Sequence, residues 1–313
     1  LQWSHAFDLA CRKYGEADIT KDTKRWGVEA FRDNNTLGGI GLYVSQTGSM
    51  ALAPNFAGLN PPVTPSKGPS WLTGNDLPAR QAGKLKFEKD TKVHAMELFR
   101  DPNADNWLFI TELGHLAACN GKLFPGKTGA NPKWVHSVDL QVRKGGVKEW
   151  AGAAKFGIEV YRDANTGNLI YVTEHGHIPI LPEEKEVKGD GKAPLWLHGL
   201  DLSCRKSNEK SFTKDTRKVG VEVYHGITTG NLIFISETGS IAVAPAAAGL
   251  PAPTPKAKEP EWTHGVNVKC RQHGEKDFSE TTRAFGAEVF RDPNVNVYIY
   301  VNELGGITAI AAK

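Results

Sequence analysis

Five of the eight tryptophans in this chain open five copies of one sequence unit, and that recurrence limits the possible folds more than any other feature. Trp3, Trp71, Trp134, Trp196 and Trp262 each begin a segment related to W-x-H-G-x-D-L-x-C-R. A variable loop follows, then a run like V-E-V-F-R-D, then a run like N-L-I-Y-V-T-E-T-G-x-I-A-V. A period of about 60–70 residues is typical of repeat arrays and propellers, in which one unit buries its apolar surface only with its neighbours' help. The units run 1–70, 71–133, 134–195, 196–261 and 262–313 within a single repeat domain.

Each unit reads as four short strands. In the fourth, Trp196, His198, Leu200, Leu202 and Cys204 alternate onto one face, with Gly199, Asp201 and Arg205 on the other, the period of two expected of a strand over about 196–206. Alternation places the tryptophans in the core, as pins that begin each unit. Strands over about 219–224, 232–236 and 241–244 complete the copy. Gly48, Gly114, Gly176, Gly239 and Gly305 hold the tight turn between the last two strands of each copy.

The third strands are apolar on both faces, as in Leu169-Ile170-Tyr171-Val172, which suits a sheet covered on each side as a propeller blade is. Pro179 falls in a fourth strand, and proline is tolerated mainly at a sheet edge. The expected architecture is therefore all-β: five tandem four-stranded repeats forming a five-bladed β-propeller, with the first strand innermost and the fourth outermost. The alternative is an open array of small β modules. It draws on proline- and alanine-rich linkers such as 246–261 (AAAGLPAPTPKAKEPE), which can act as semi-rigid spacers.

Composition removes several functions. A net charge of +3 with mixed signs and no basic stripe argues against nucleic acid as a partner. No stretch reaches the roughly 20 apolar residues of a membrane-spanning helix. Cys11, Cys204 and Cys270 share a position held by Ala79 and Val142 in the other copies, so they read as buried thiols in an apolar packing site. The chain opens on Leu1, which fits a removed export signal or a trimmed chain and leans toward an exported or cell-surface location. No G-x-S-x-G, P-loop, C-x-x-C or H-E-x-x-H motif is present, so neither a cofactor nor a metal is expected.

Two charged positions recur in all five copies. Arg12, Arg80, Arg143, Arg205 and Arg271 end the first strands, and Glu29, Glu97, Glu159, Glu222 and Glu288 lie in the second. As cross-strand neighbours they are expected to brace each blade internally, because a partly buried carboxylate needs a partner. His5, His136, His198 and His264 recur as well, with Asp8, Asp76, Asp139, Asp201 and Asn267 three residues on. They are expected to hold hydrogen-bond networks, or to ring the channel if the first strands line it.

Function is sought in the loop between the first two strands. An apolar residue there (Ile19, Phe87, Trp150, Phe212 or Phe278) is expected to anchor into the core. The candidate ligand-binding residues around it are Asp18, Lys21, Asp22, Lys89, Asp90, Lys214, Asp215 and Asp277, short polar groups suited to sugar hydroxyls or to capping the loop's own backbone. The expected function is a non-enzymatic, multivalent, lectin-like module recognising repeated surface ligands such as glycans. In repeat number and inferred blade shape the chain resembles five-bladed lectins. A scaffolding subunit that contacts other protein subunits is the alternative. A carboxylate-based glycosidase comes third, because acids repeated five times do not make the asymmetric pair that such chemistry needs.

Overall fold

The structure is a computed structural model that describes residues 1–53, 67–120, 131–163, 166–182, 189, 192–246 and 257–312; most of the proline-rich linker 246–261 lies outside them. Repeat one forms β1 (Gln2–Ala10), β2 (Arg25–Asp33), β3 (Ile40–Ser45) and β4 (Met50–Ala53). Repeat two forms β5 (Ser70–Ala79), β6 (Lys92–Asp101), β7 (Asn106–Thr111) and β8 (Leu116–Asn120). Repeat three forms β9 (Lys133–Val142), β10 (Ala154–Arg162), β11 (Leu169–Thr173) and β12 (Ile180–Leu181). Repeat four forms β13 (Leu195–Cys204), β14 (Arg217–Gly226), β15 (Asn231–Ser236) and β16 (Ile241–Pro245). Repeat five forms β17 (Glu261–Cys270), β18 (Arg283–Asp292), β19 (Val297–Asn302) and β20 (Ile307–Ala311).

Each repeat makes its own antiparallel sheet in chain order, and the five sheets stand in a ring as a five-bladed β-propeller. Among the described residues no helix is long and apolar enough to cross a membrane. The turn glycines take the expected left-handed conformation, with φ from +76° to +87° at the five equivalent positions. Four of the five third strands, β3, β7, β11 and β15, are buried throughout, as their two-sided apolar pattern requires, and β19 is buried except at Tyr298.

Strand order within the ring reverses the expectation. The fourth strands β4, β8, β12, β16 and β20 pack against one another round the axis, and the first strands lie outermost. Pro179 precedes β12 at the channel wall and gives its carbonyl to the Tyr171 N–H at 3.1 Å. Proline requires an edge, but a blade has two edges, and the residue does not distinguish them. With the first strands outside, neither the His nor the Asp set rings the channel.

Five separate cores fill the five seams, each drawn from two adjacent blades. Leu200, Leu202 and Val221 of blade four meet Phe290, Val297 and Ile299 of blade five. The seam that closes the ring joins Val268, Phe285 and Val289 of blade five to Phe31, Leu42 and Val44 of blade one. Blades come very close where the second strand of one passes the end of the first strand of the blade before it. A Cβ on Gly27, Gly157, Gly220 or Gly286 would stand 2.2–2.3 Å from the carbonyl oxygen of the preceding blade's arginine. Glycine is needed there for backbone approach rather than for a turn.

Buried polar ties cross the same seams. His5 bonds Asp101 at 2.8 Å, His198 bonds Asp292 at 2.7 Å and His264 bonds Asp33 at 2.9 Å, in each case reaching the next blade round the ring. Tyr43 and Tyr300 donate to the same two carboxylates, Asp101 and Asp33. Where blade four has Gly226 in place of the aspartate, the histidine of blade three, His136, lacks that carboxylate. The cysteines are free and buried, and Cys11, Cys204 and Cys270 point their thiols at next-blade carbonyls 3.3–3.4 Å away. Burial pushes the Cys204 thiol up to about 12, so it stays protonated and inert.

Gly220→Val should lower stability by about 3 kcal/mol or more, because its Cβ meets backbone that has no room to move. Gly68→Val, where nothing approaches within 4 Å, should leave the thermal midpoint in place. The Asp33 carboxyl is pushed up by burial but drawn down more strongly by His264, Tyr300 and the Asn35 N–H, settling at about 2. A carboxyl held below its unfolded value stabilises the fold above that value, and the contribution is lost as pH falls through the folded one. Between about pH 4 and about pH 2 the closing seam should lose up to about 2 kcal/mol. Asp33→Asn should flatten that part of the stability–pH curve, and an unchanged curve would contradict the assignment.

Candidate functional site

The recurrent arginines and glutamates do form a brace, but it joins neighbouring blades instead of the strands of one blade. Arg12 meets Glu97, Arg80 meets Glu159, Arg143 meets Glu222, Arg205 meets Glu288, and Arg271 closes the ring onto Glu29, with Nε–Oε1 distances of 2.5–2.6 Å. The five carboxylates are at most 2% exposed. Burial is the first influence on Glu97 and Glu159 and raises both, against the pull of their tryptophan and arginine partners. On the facing strand of the next blade, Gly74, Gly199 and Gly265 leave room for the guanidinium, since a Cβ there would lie 1.9–2.0 Å from Nη2.

Each carboxylate also accepts from the indole Nε1 of its own blade. Trp3–Glu29, Trp71–Glu97, Trp134–Glu159, Trp196–Glu222 and Trp262–Glu288 are all 2.7 Å. The arginine in turn donates Nη1 to carbonyls of its own β1–β2-type loop, as Arg12 does to Glu16 at 2.7 Å and Arg205 to Lys210 at 2.8 Å. Loop, arginine, glutamate and tryptophan thus form one chain of bonds across each seam. The same order repeats five times.

The tryptophans are not core pins. Trp71, Trp134 and Trp262 are 52%, 51% and 49% exposed, and Trp3 and Trp196 are partly exposed. A register shift follows each of them between Trp and the residue two positions on, as at Trp3/His5 and Trp196/His198. The extra residue of this bulge turns the indole to the glutamate's face, away from the leucines with which strict alternation grouped it. The bulge had no signal in residue type.

Four of the five loop apolar residues likewise do not enter the core. Phe87, Trp150, Phe212 and Phe278 are 38–44% exposed and stand edge-on to the tryptophan of the next blade, at centroid distances of 5.8–6.3 Å. Arg143, Arg205 and Arg271 lie 4.8–5.0 Å from the loop ring centroids. In the first seam Ile19 takes the aromatic's place and is partly buried. Every seam therefore presents an indole at the outer surface and, in four of five, a second aromatic packed edge-on against it.

The eight candidate residues Asp18, Lys21, Asp22, Lys89, Asp90, Lys214, Asp215 and Asp277 all lie exposed on these loops. They are grouped by copy and are not brought into one site. Backbone capping falls to their neighbours: Thr23 Oγ1 accepts from the Thr20 N–H, Thr216 from Thr213 and Thr282 from Ser279, each at 2.8 Å. Asp8, Asp139 and Asp201, read earlier as a possible ring, are spent on inter-blade ties to the backbone of Gly274, Gly83 and Gly146. Ser4, His5 and Asp101 make a connected Ser–His–Asp series, at 2.9 and 2.8 Å, but all three are 0% exposed and enclosed from substrate.

Fold and seams together define a five-bladed propeller with aromatic side chains repeated at the seams of its outer surface. Comparison of the chain with protein-family models, curated proteins and solved structures finds no match in any of the three. Among the described residues no group of three or more His, Cys, Asp or Glu is placed to hold a metal ion.

Arg205→Ala and Glu288→Ala should each destabilise by about 3–5 kcal/mol, because each leaves a buried partner unpaired. Their double mutant should lose much less than the sum, whereas Arg205→Ala with Glu222→Ala, in separate seams, should be nearly additive. Denaturant unfolding of the six proteins gives both coupling energies. Strong coupling in the second pair would place the brace back within the blade.

Proposed function

We propose that the protein is a non-enzymatic, multivalent binding module of lectin-like logic, which recognises repeated surface ligands such as glycans at its outer seams. The reading is carried by the five indoles whose one polar atom is already bound to a buried glutamate, while about half of three of them and part of the other two face solvent. Such a surface has little left to offer a polar partner by direct bonding. It suits the flat, apolar C–H face of a pyranose ring, with aromatic area supplying contact at small entropic cost.

The exposed loop charges complete the picture. Lys89 and Asp90 follow Phe87, Lys214 and Asp215 follow Phe212, and Asp277 precedes Phe278, so three of the four aromatic loops carry donors or acceptors for hydroxyls beside the ring. Shallow surface sites bind weakly one at a time. Five of them on one rigid ring gain by avidity when the ligand is itself repeated. The scaffold alternative leans on linkers that lie mostly outside the described residues, and no described contact favours it.

The intact chain should bind a subset of an immobilised glycan array, and dense display should exceed sparse display by about 10²–10⁴-fold in apparent affinity. Phe212→Ala and Phe278→Ala, which leave every Arg–Glu–Trp series in place, should each weaken binding with the fold retained. No binding across a chemically diverse array would overturn the proposal.

A further inference from the structure

The axial channel is walled by the part of each repeat that the seam brace does not use. At the loop-bearing end, the residue after each turn glycine forms a ring: Ser49, His115, His177, Ser240 and Gly306. With Thr47, Thr238 and Asn302, this ring lines a cavity of about 250 Å³. Among the described residues no Asp, Glu, Lys or Arg contributes to that wall, and the two histidines are its ionisable groups. Every polar side chain on it can donate a hydrogen bond.

The opposite end is different in character. A cavity of about 340 Å³ is bounded there by Leu37, Leu181, Pro182 and Ile310. The two cavities share a collar of one residue from each innermost strand, Leu52, Ala118, Ile180, Val243 and Ala309. A donor-rich mouth and a largely apolar cavity therefore meet at this collar.

The histidines at the mouth come from consecutive blades and stack, with ring centroids 3.8 Å apart and planes 34° from parallel. The buried Nδ1 of His115 has no hydrogen-bond partner among the described residues. Burial first, then His94 and His175, hold His115 down to about 4, and burial with His115, His175 and His94 lowers His177 as well. The other charged groups near this cluster are Glu112 and Lys92, which act on His94, and Glu174, whose backbone bonds it. Two stacked imidazoles accept a proton poorly until a negative charge lies beside them.

The geometry points to the channel as a binding site for a single-chain aliphatic carboxylate, with its headgroup at the His115–His177 mouth and its hydrocarbon chain passing through the collar. The carboxylate supplies the negative charge that the wall lacks. One proton moves from solvent onto the imidazole pair as it binds, and the pair and headgroup are neutral together. The chain gains contact with apolar wall, strengthening binding by about fourfold per buried methylene. This site is separate from the outer seams, and its failure would leave the reading of them untouched.

Calorimetry of the intact chain with octanoate, acetate and octanol tests it. Octanoate should bind with uptake of about one proton, read from two buffers of different ionisation enthalpy, and should tighten by about tenfold per unit fall in pH between about 7.5 and 6. Acetate should be at least about a hundredfold weaker, and octanol should bind without pH dependence. His115→Asn/His177→Asn should abolish the proton uptake while keeping octanol binding. Ala309→Phe should narrow the collar and erase the difference between octanoate and acetate. Octanoate that fails to bind the native chain, binds no tighter than acetate, or binds without taking up a proton would overturn the proposal, whatever the variants do.

Discussion

The arginine that leaves one blade to pair with the glutamate of the next is the contact on which this ring depends. Apolar seams alone would hold two blades together without saying where one sits on the other, because valines and leucines slide past one another at little cost. The guanidinium–carboxylate pair is directional and enclosed, with the carboxylates almost fully buried, so it is satisfied in one register and costly in others. Each glutamate also holds its own tryptophan, and each arginine its own loop. Displacing one blade would leave several buried groups without partners at once. Repeated five times, with Arg271 returning to Glu29, the same seam turns a string of marginal sheets into a closed body.

That demand explains residues whose types otherwise look arbitrary. The glycine in the second strand has ordinary extended backbone and no turn to make; it is there because the preceding blade's arginine carbonyl stands against it. Blade two has Ala95 at that place, so its seam accommodates one more carbon. The small residues opposite each guanidinium, Ala6, Gly74, Ser137, Gly199 and Gly265, answer the same need from the other side. Close approach and the ion pair are thus one constraint, expressed in three positions of every repeat.

Repeat number, strand count, turn glycines and two-sided burial of the third strands could all be read from residue order, because each is a local property of one copy. What could not be read depends on relations between copies. Arg205 is as many strands from Glu222 as a hairpin neighbour should be, yet its partner is Glu288, one repeat further on. Pro179 signals an edge but not which one, since inner and outer strands both have a free side. The tryptophans were misplaced for a different reason. Period-two alternation assumes an unbroken ladder, and one extra residue after each Trp reverses the face of everything before it.

The same division bears on where function can reside. Positions invariant through the five copies are invariant because closure uses them: the indole Nε1, the carboxylate and the guanidinium are all bonded to one another, and what they leave exposed is ring face alone. Recognition has to draw its specificity from positions that closure leaves free. Two sets meet that condition. The loop residues vary from Asp18 and Lys21 through Ala151 and Gly152 to Asp277, so the five outer seams are alike in their indole and unlike in polar rim. The residues after the turn glycines vary as Ser, His, His, Ser and Gly, and because they face a common axis their differences sum in one place instead of five. A five-fold scaffold can in this way carry repeated, interchangeable sites on its circumference and one asymmetric site at its centre.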